Sequence, residues 1–243
     1  MTTLGFVLLS GGIDSSTALT LAVNQLKQRN VRCVSIDYGQ RHYKEIHHAK
    51  QVSNFYGRPH EVLSIEGMPK AMLTDPSAEI PSISYDELPS GISPTYVPFR
   101  NGQMLSKLAG HVQAHLKDLY DKSDLTAPRI ENDAIIYFGA HAEDAQNWAY
   151  PDCTPEFVGA MANAIYIGTY QKVRLVTPWL HSTKDEIISY GARYKTPYHL
   201  TWSCYAGGEH HCGICPTCRA RKQAFLKAGV NDPTTYADTE QAN

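Results

Sequence analysis

The chain has 243 residues, 42% of them apolar, and a formal net charge of -2. These values suit a globular protein with one large α/β core and give no overall attraction to nucleic acid or to an anionic membrane. No apolar run approaches the roughly 18 residues of a membrane span, and residues 1–10 lack the features of a signal peptide. We therefore expect a cytoplasmic protein, whose clustered cysteines are metal ligands before they are disulfides.

Strands and helices are predicted to alternate along the chain. The apolar run over 4–9 predicts a buried parallel strand, helical apolar spacing predicts a helix over 15–29, and the run over 31–36 predicts a second strand. This order is the right-handed crossover unit of a parallel sheet. Further helices are predicted over 42–56, 101–119, 154–170, 183–193 and 219–227, and further strands over 61–65, 134–139 and 173–176.

The alternation predicts a Rossmann-like, doubly wound parallel sheet, in which ligands bind outside the carboxyl ends of the strands. Residues 74–98 are rich in Pro, Ser and Gly and predict a long surface loop, and the polar stretch over 120–132 predicts a mobile insertion. We expect three parts, which are an α/β domain over 1–200, a cysteine-rich segment over 201–230 packed on it, and a flexible tail over 231–243.

A phosphate-binding turn is predicted at Ser10–Ser16, between the first strand and the first helix. Gly11 and Gly12 let the backbone approach an anion, and the helix N-terminus adds unpaired N–H groups. Asp14 suits the orientation of a Mg²⁺ ion or of a water molecule. The turn is neither a Walker A loop nor a dinucleotide fingerprint. It matches S-G-G-x-D-S, the signature of the PP-loop ATP pyrophosphatases, and the alternative is a Gly-rich turn with a helix cap.

That superfamily joins a carboxylate or a carbonyl oxygen to AMP. A free carboxylate resists attack because its leaving group would be oxide or hydroxide. Adenylation makes the leaving group a phosphate ester, so ammonia can then add. The turn therefore predicts adenylation followed by formation of a carbon–nitrogen bond.

Four of the six cysteines fall within one short stretch: Cys204, Cys212, Cys215 and Cys218. Four thiolates fill the tetrahedral coordination of zinc and leave no open position, so the pattern predicts one structural Zn²⁺. Ligation of an iron–sulfur cluster is the main alternative, and free thiols are the third. His210 or His211 stands close enough in sequence to replace one cysteine.

Seven segments together resemble the 7-cyano-7-deazaguanine synthases, which make the nitrile-bearing deazapurine precursor of the modified bases queuosine and archaeosine. The segments are 8–16, 37–42, 96–101, 141–144, 150–157, 201–205 and 212–218. The resemblance implies the substrates 7-carboxy-7-deazaguanine, ammonia and ATP with Mg²⁺, two successive activations, a homodimer, and no direct contact with nucleic acid or membrane. No glutaminase domain is visible, so ammonia is expected from solution or from a partner.

The resemblance and the motif positions assign roles to residues. ATP is expected to contact Leu8, Leu9, Ser10, Gly11, Gly12, Ile13, Asp14, Ser15, Ser16, Thr17, Ala18, Asp37 and Gln40. The deazapurine acid is expected to contact Arg41, Arg100, Asn101, Asp144, Tyr150 and Asp152, and the catalytic residues are expected to be Ser10, Asp14, Arg100 and Lys184.

Several of these residues have a purely structural alternative. Asp37 also suits a turn cap, Arg41 and Lys184 also suit a solvated surface, and Tyr150, or Trp148 in its place, also suits the core. Cys153 is expected to line the pocket without acting as a nucleophile, and Cys33 to lie in the core.

Two other functions are compatible with the motifs. A tRNA thiolase of the same superfamily would need a catalytic cysteine or cluster-bound sulfur and a basic face, and Cys153 is the single plausible pocket cysteine. A metal-binding segment with four cysteines also occurs in nucleic-acid-binding modules, although here only Arg219, Arg221 and Lys222 flank it.

Overall fold

The computed structural model describes residues 3–75, 77–80, 92–122 and 133–237. Its strands are β1 (Thr3–Leu8), β2 (Val31–Asp37), β3 (His60–Ser64), β4 (Asp133–Tyr137) and β5 (Val173–Val176). Its α-helices are α1 (Ile13–Gln25), α2 (Lys44–Phe55), α3 (Arg100–Asp121), α4 (Pro155–Gly168), α5 (Lys184–Arg193) and α6 (Pro216–Ala228). The predicted elements are all confirmed, with ends shifted by at most four residues. Within these described ranges, none of the helices is long and apolar enough to cross a membrane.

The five strands form one parallel sheet in the order β3-β2-β1-β4-β5. Successive side chains of β1 point to opposite faces, so Phe6 and Leu8 pack in the core layer that includes α3 and α4. Val7 and the adjoining Leu9 pack on the other face against α1, α5 and α6. Both faces are therefore buried, as the continuous apolar runs of the strands predict.

The strand order reverses direction at β1, because β2 lies on one side of it and β4 on the other. In doubly wound sheets a ligand binds in the crevice at this switch point. The chain after β4 also passes close to the start of α1, since a Cβ on Gly139 would lie 3.0 Å from the Ser15 nitrogen. The fold thus brings the phosphate turn and the segment after β4 to the same place.

The predicted tail boundary at residue 231 falls too early. The buried Arg221 donates from Nε to Asp232 Oδ1 at 3.1 Å, and the Tyr236 hydroxyl donates to Asp232 Oδ2 at 2.6 Å. Tyr236 is buried and forms a bridge with His211. Residues 231–237 are therefore part of the packed structure, and the remainder of the predicted tail lies outside the described residues.

The two predicted irregular segments are described in part. Residues 120–122 form the end of α3, and the rest of the predicted insertion lies outside the described residues. In the predicted loop over 74–98, Ser93 and Thr95 are buried, while residues 76 and 81–91 also lie outside the described residues.

Replacing Asp232 with alanine is expected to lower the free energy of unfolding by about 3 kcal/mol, because it leaves the Arg221 guanidinium buried without its carboxylate. Asp118→Ala is the matched control, since its pair with Lys122 is exposed and we expect little change. Urea denaturation of both variants measures the difference. Equal stabilities of the two variants would show that Asp232 does not anchor the chain end.

Candidate active site

The phosphate turn is held tightly against α2. Gly11 has a φ of +84°, and a Cβ there would clash with the Glu45 carbonyl oxygen and lie 2.7 Å from the Ala49 nitrogen. Only glycine fits this position without strain. Gly12 caps α1 with no side-chain hydrogen bond to the helix end, and Ser10 Oγ lies 3.0 Å from Ser15 Oγ. Backbone N–H groups and two hydroxyls are thus grouped at the N-terminus of α1, an arrangement that suits an anion.

Opposite charges meet beside this turn. Lys184 Nζ donates to Asp14 Oδ2 at 3.2 Å and lies 3.3 Å from His141 Nε2. His141 Nε2 in turn lies 3.3 Å from Asp144 Oδ1. Burial alone would raise the pKa of Asp14, but Lys184 and His141 together bring it below its ordinary value. Burial would likewise lower the pKa of Lys184, but Asp14 and Asp144 raise it, so both partners stay charged.

A second cation faces the same cavity from the first residue of α3. Arg100 makes no ion pair with any carboxylate of the described residues. Its guanidinium carbon lies 5.9 Å from the centre of the Tyr38 ring. Burial would lower the pKa of Arg100, but the Tyr38 and Tyr205 phenols raise it, so the group stays cationic. Burial also raises the pKa of Tyr38 to about 12, so its phenol stays neutral. An anionic ligand would therefore complete the pairing of Arg100.

The cysteine-rich segment folds its four thiols around one point. The Sγ atoms of Cys204, Cys212, Cys215 and Cys218 all lie within 4.8 Å of one another. The Cys212 N–H donates to Cys204 Sγ and the Cys215 N–H to Cys212 Sγ, each at 3.3 Å. Such backbone donors stabilise thiolates, which are the form that binds a metal. The donor set therefore suits a bound cation.

This segment is attached directly to the phosphate turn. The Trp202 N–H donates to the Gly11 carbonyl at 2.8 Å, and the Trp202 ring stacks on His48. Lys44 Nζ lies over the same indole and donates to the Gly208 and Glu209 carbonyls at 2.9 and 2.7 Å. These contacts join the cysteine-rich segment to the phosphate turn and to the start of α2.

One cavity joins these groups at the carboxyl ends of the strands. The predicted site residues that line it are Leu8, Leu9, Ser10, Gly12, Ile13, Asp14, Ser15, Arg100, Asn101, Asp144 and Lys184. Cys153 also lines it, as predicted. Its buried Sγ accepts a hydrogen bond from Asn101 Nδ2 at 3.1 Å, and burial raises its pKa well above the ordinary value.

Some predicted site residues do not line this cavity. Gly11 packs on α2, and Ser16, Thr17 and Ala18 are buried within α1. Asp37 Oδ1 accepts from the Gly39 N–H at 3.1 Å, which is the turn-cap alternative, and it lines a shallower second depression beyond β2 and β3.

The polar side chains of the other excluded residues are engaged in internal hydrogen bonds. Gln40 Nε2 donates to the Ile36 carbonyl at 3.1 Å, and Arg41 donates to the Ala78 carbonyl. Tyr150 is buried beside Thr95, Asp152 accepts from the Asn101 N–H at 2.9 Å, and Trp148 is 67% exposed. Gln40, Arg41 and Asp152 therefore bond within the protein, and Trp148 lies at the surface, so none of them lines the cavity.

Sequence reasoning missed several lining residues: Tyr38, His42, Glu45, Trp202, Ser203, Tyr205 and Thr217. It also gave no role to His141, which lies between Lys184 and Asp144. A signal was present in the segments 37–42, 141–144 and 201–205, which contain most of these residues. The spacing did not show which side chains turn inward.

Comparison with known proteins gives consistent results. The family model described as "Queuosine biosynthesis protein QueC" matches residues 5–229. The 7-cyano-7-deazaguanine synthase of Thermoplasma volcanium is 36% identical over 237 residues, covering 95% of this chain and 90% of the relative. That of Paracoccus denitrificans is 39% identical over 241 residues, covering 96% and 93%. That of Acetivibrio thermocellus is 36% identical over 238 residues, covering 96% and 97%.

Solved structures resemble the chain more remotely. The U34-tRNA thiolase NcsA from Methanococcus maripaludis with its 4Fe–4S cluster has 18% sequence identity and a TM-score of 0.41, covering 83% of this chain and 59% of its own. A likeness at this level supports no conclusion about chemistry.

Proposed function

The chain belongs to the QueC family of 7-cyano-7-deazaguanine synthases, and we propose that it converts 7-carboxy-7-deazaguanine and ammonia to 7-cyano-7-deazaguanine with consumption of ATP. The observation that carries this proposal is the shared cavity in which the phosphate turn faces Lys184 and Arg100, which has no carboxylate partner among the described residues. A triphosphate and a carboxylate both need cations at the point where they react, and this cavity provides them.

The proposed reaction has two activations. A carboxylate oxygen of the substrate attacks the α-phosphorus of ATP, so the acyl adenylate forms and pyrophosphate leaves. Ammonia adds to the acyl carbon. The bond from that carbon to the phosphate oxygen breaks, AMP leaves, and a proton is lost to give the amide. The amide oxygen then attacks a second ATP at the α-phosphorus, and pyrophosphate leaves again. Loss of AMP from carbon and of two protons from nitrogen leaves the nitrile.

The residues of the cavity suit these steps. We propose that the hydroxyls of Ser10 and Ser15 and the free N–H groups of α1 hold phosphate oxygens, while Lys184 neutralises charge that develops on the phosphate. Asp14 holds that lysine, and its Oδ1 is buried without a partner among the described residues. Arg100 is proposed to hold the reacting carboxylate. Mg²⁺ is proposed to accompany the triphosphate and to neutralise part of its charge.

We propose that the cysteine cluster holds one structural Zn²⁺. Zinc–sulfur bonds of about 2.3 Å place tetrahedral ligands roughly 3.8 Å apart, which suits Sγ atoms that all lie within 4.8 Å of one another. A cluster of several irons distributes its ligands over different metal atoms and needs wider spacing. The metal would provide no step of the reaction and would fix the segment that supports the phosphate turn.

A thiolase function is less well supported. Cys153 has a raised pKa and a buried Sγ, both of which disfavour the reactive thiolate. We expect Cys153→Ala to retain turnover within about tenfold, since adenylation needs no thiol. Steady-state kinetics of this variant check the prediction, with Cys33→Ala as the control for a buried cysteine outside the cavity. Complete loss of turnover in Cys153→Ala alone would favour a thiol mechanism.

A nucleic-acid-binding function is also weakened. Of the three basic residues that flank the cysteine cluster, Arg221 is fully buried and paired with Asp232. The other two basic residues, Arg219 and Lys222, are too small a patch for strong electrostatic binding of a polyanion.

A homodimer is proposed as well. The outer face of α4 leaves apolar side chains in solvent, with Ile167 61% exposed and the adjoining Tyr170 83% exposed. An apolar helix face of this kind suits contact with a second copy. Light scattering at several concentrations tests the stoichiometry.

The deciding experiment is a mass-spectrometric assay with 7-carboxy-7-deazaguanine, ammonium, Mg²⁺ and ATP, following the nitrile and the adenine nucleotides together. Nitrile with ATP consumption supports the proposal. Cleavage of ATP to AMP without nitrile would keep the adenylation chemistry but assign another acceptor. No ATP turnover, from a sample shown to contain zinc, would overturn it.

A further inference from the structure

Three carboxylates line the cavity in the part of the chain that the structure describes: Asp14, Glu45 and Asp144. Asp14 is paired with Lys184, and Asp144 is within 3.3 Å of His141. Glu45, in the first turn of α2, has no lysine or arginine partner among the described residues. It is therefore the lining carboxylate that takes no part in the charged cluster around Lys184.

Each oxygen of the Glu45 carboxylate has one hydrogen-bond partner and can accept a further hydrogen bond. Gln40 Nε2 lies 3.2 Å from Oε1, and His42 Nε2 lies 3.2 Å from Oε2. A carboxylate has about four acceptor positions, so each oxygen can accept one further hydrogen bond. The Glu45 side chain is 18% exposed, which leaves it access to the cavity.

His42, next to Glu45, has a second acceptor atom that is available for a hydrogen bond. His42 is 3% exposed, and its Nδ1 is buried without a hydrogen-bond partner among the described residues. If Nε2 carries the hydrogen that is donated to Glu45, Nδ1 is an acceptor. Tyr205, from the cysteine-rich segment, covers this group with its ring centre 5.3 Å from that of His42.

These acceptors suit one edge of a guanine-type base. The pyrimidine edge of 7-deazaguanine presents its N1–H and its 2-amino group side by side, and a carboxylate accepts such a pair in a bidentate arrangement. Adenine offers one amino donor beside a ring acceptor, which a carboxylate would repel. Resting on the proposed function, we propose that Glu45, positioned by Gln40 and His42, binds the N1–H and 2-amino group of the deazapurine acid and sets the specificity for it.

This arrangement also keeps the substrate carboxylate away from the Glu45 carboxylate. The carboxylate of 7-carboxy-7-deazaguanine is on the five-membered ring, at the opposite end from the 2-amino group. Binding of that amino edge by Glu45 therefore leaves the acid end free to meet a cation such as Arg100. Asp152, which the sequence analysis expected to contact the deazapurine acid, already accepts from the Asn101 backbone and does not line the cavity.

The test compares kcat/KM for 7-carboxy-7-deazaguanine with that for the same acid without its 2-amino group. In wild-type protein, kcat/KM is expected to be about 10- to 100-fold higher for the acid that has the 2-amino group. This is the effect of one hydrogen bond to a charged group. In Glu45→Gln the preference should approach one, because the amide nitrogen cannot accept, and the KM for ATP should stay within about twofold. Glu61→Gln, on the exposed edge of β3, is the matched control and should keep the preference.

The outcomes separate this inference from the proposed function. If wild-type protein forms nitrile and has equal kcat/KM for both acids, the role of Glu45 is overturned before any variant is measured. The proposed function is then unaffected. A Glu45→Gln protein that keeps the preference but loses affinity for ATP also overturns the inference and places Glu45 at the nucleotide. Absence of any nitrile from wild-type protein contradicts the proposed function itself.

Discussion

Asp14→Ala is expected to lower ATP-dependent turnover by at least about 10³-fold, the largest effect of any single change within the cavity. The carboxylate holds the Lys184 ammonium at 3.2 Å beside the phosphate turn. Its other oxygen is buried and unpartnered within the described part of the chain, as expected of a group that completes its contacts on a ligand. Without Asp14, the lysine loses its position at the moment when charge develops on the phosphate.

Steady-state kinetics with ATP varied at saturating acid measure this loss. Asp185→Ala, which removes the next acid along α5 from Lys184, is the control and should keep near wild-type turnover. A near-native circular dichroism spectrum of Asp14→Ala is needed for the interpretation. An active Asp14→Ala variant would remove the phosphate-turn argument.

The Asp14 pair also makes stability depend on pH. Its pKa in the folded state is below the ordinary value of 3.8, so its contribution to the free energy of unfolding is complete above that pH. The contribution is lost as the pH falls through the lower folded-state value. The stability difference between wild type and Asp14→Ala should therefore stay constant from about pH 7 to about pH 5 and shrink below about pH 4.

The fold was predictable because its strands are continuous apolar runs and its helices have clear apolar spacing. Helix ends were less predictable, because tertiary contacts decide them. The helix expected to reach residue 29 ends at Gln25, since Leu26 adopts an extended backbone and packs over Gly5. Similarly, Asp232 and Tyr236 look like tail residues in sequence but are anchored by the buried Arg221.

The candidate site was predictable in its motifs and less so in its individual residues. The residues of a motif share a place in the fold, but packing decides which of them faces the ligand. From the last residue of β2 onward, Asp37 and Gln40 form the turn by hydrogen bonds, while Tyr38, His42 and Glu45 face the cavity. No periodicity distinguishes these two groups, because most of the segment is neither helix nor strand.

The cysteine-rich segment joins the proposed metal site to the candidate active site, and it gives the second large prediction. Cys215→Ser is expected to abolish zinc binding and to leave the protein unfolded or aggregated. The loss of metal removes a binding free energy on the order of 10 kcal/mol, which matches the whole stability of a typical domain. Cys215 is buried, so a serine there also leaves a hydroxyl next to unpaired thiols. Elemental analysis, gel filtration and thermal melting measure the effect.

Cys33→Ala is the matched control, because Cys33 is a fully buried cysteine in the middle of β2 and far in sequence from the cluster. We expect it to keep one zinc per chain and to melt cooperatively at a slightly lower temperature. A soluble, cooperatively melting Cys215→Ser protein without zinc would contradict the structural role. Such a protein would still be informative, since Trp202 connects the cluster to the Gly11 carbonyl at 2.8 Å. Weakened ATP binding in it would then show that the segment positions the phosphate turn even where the fold does not require the metal.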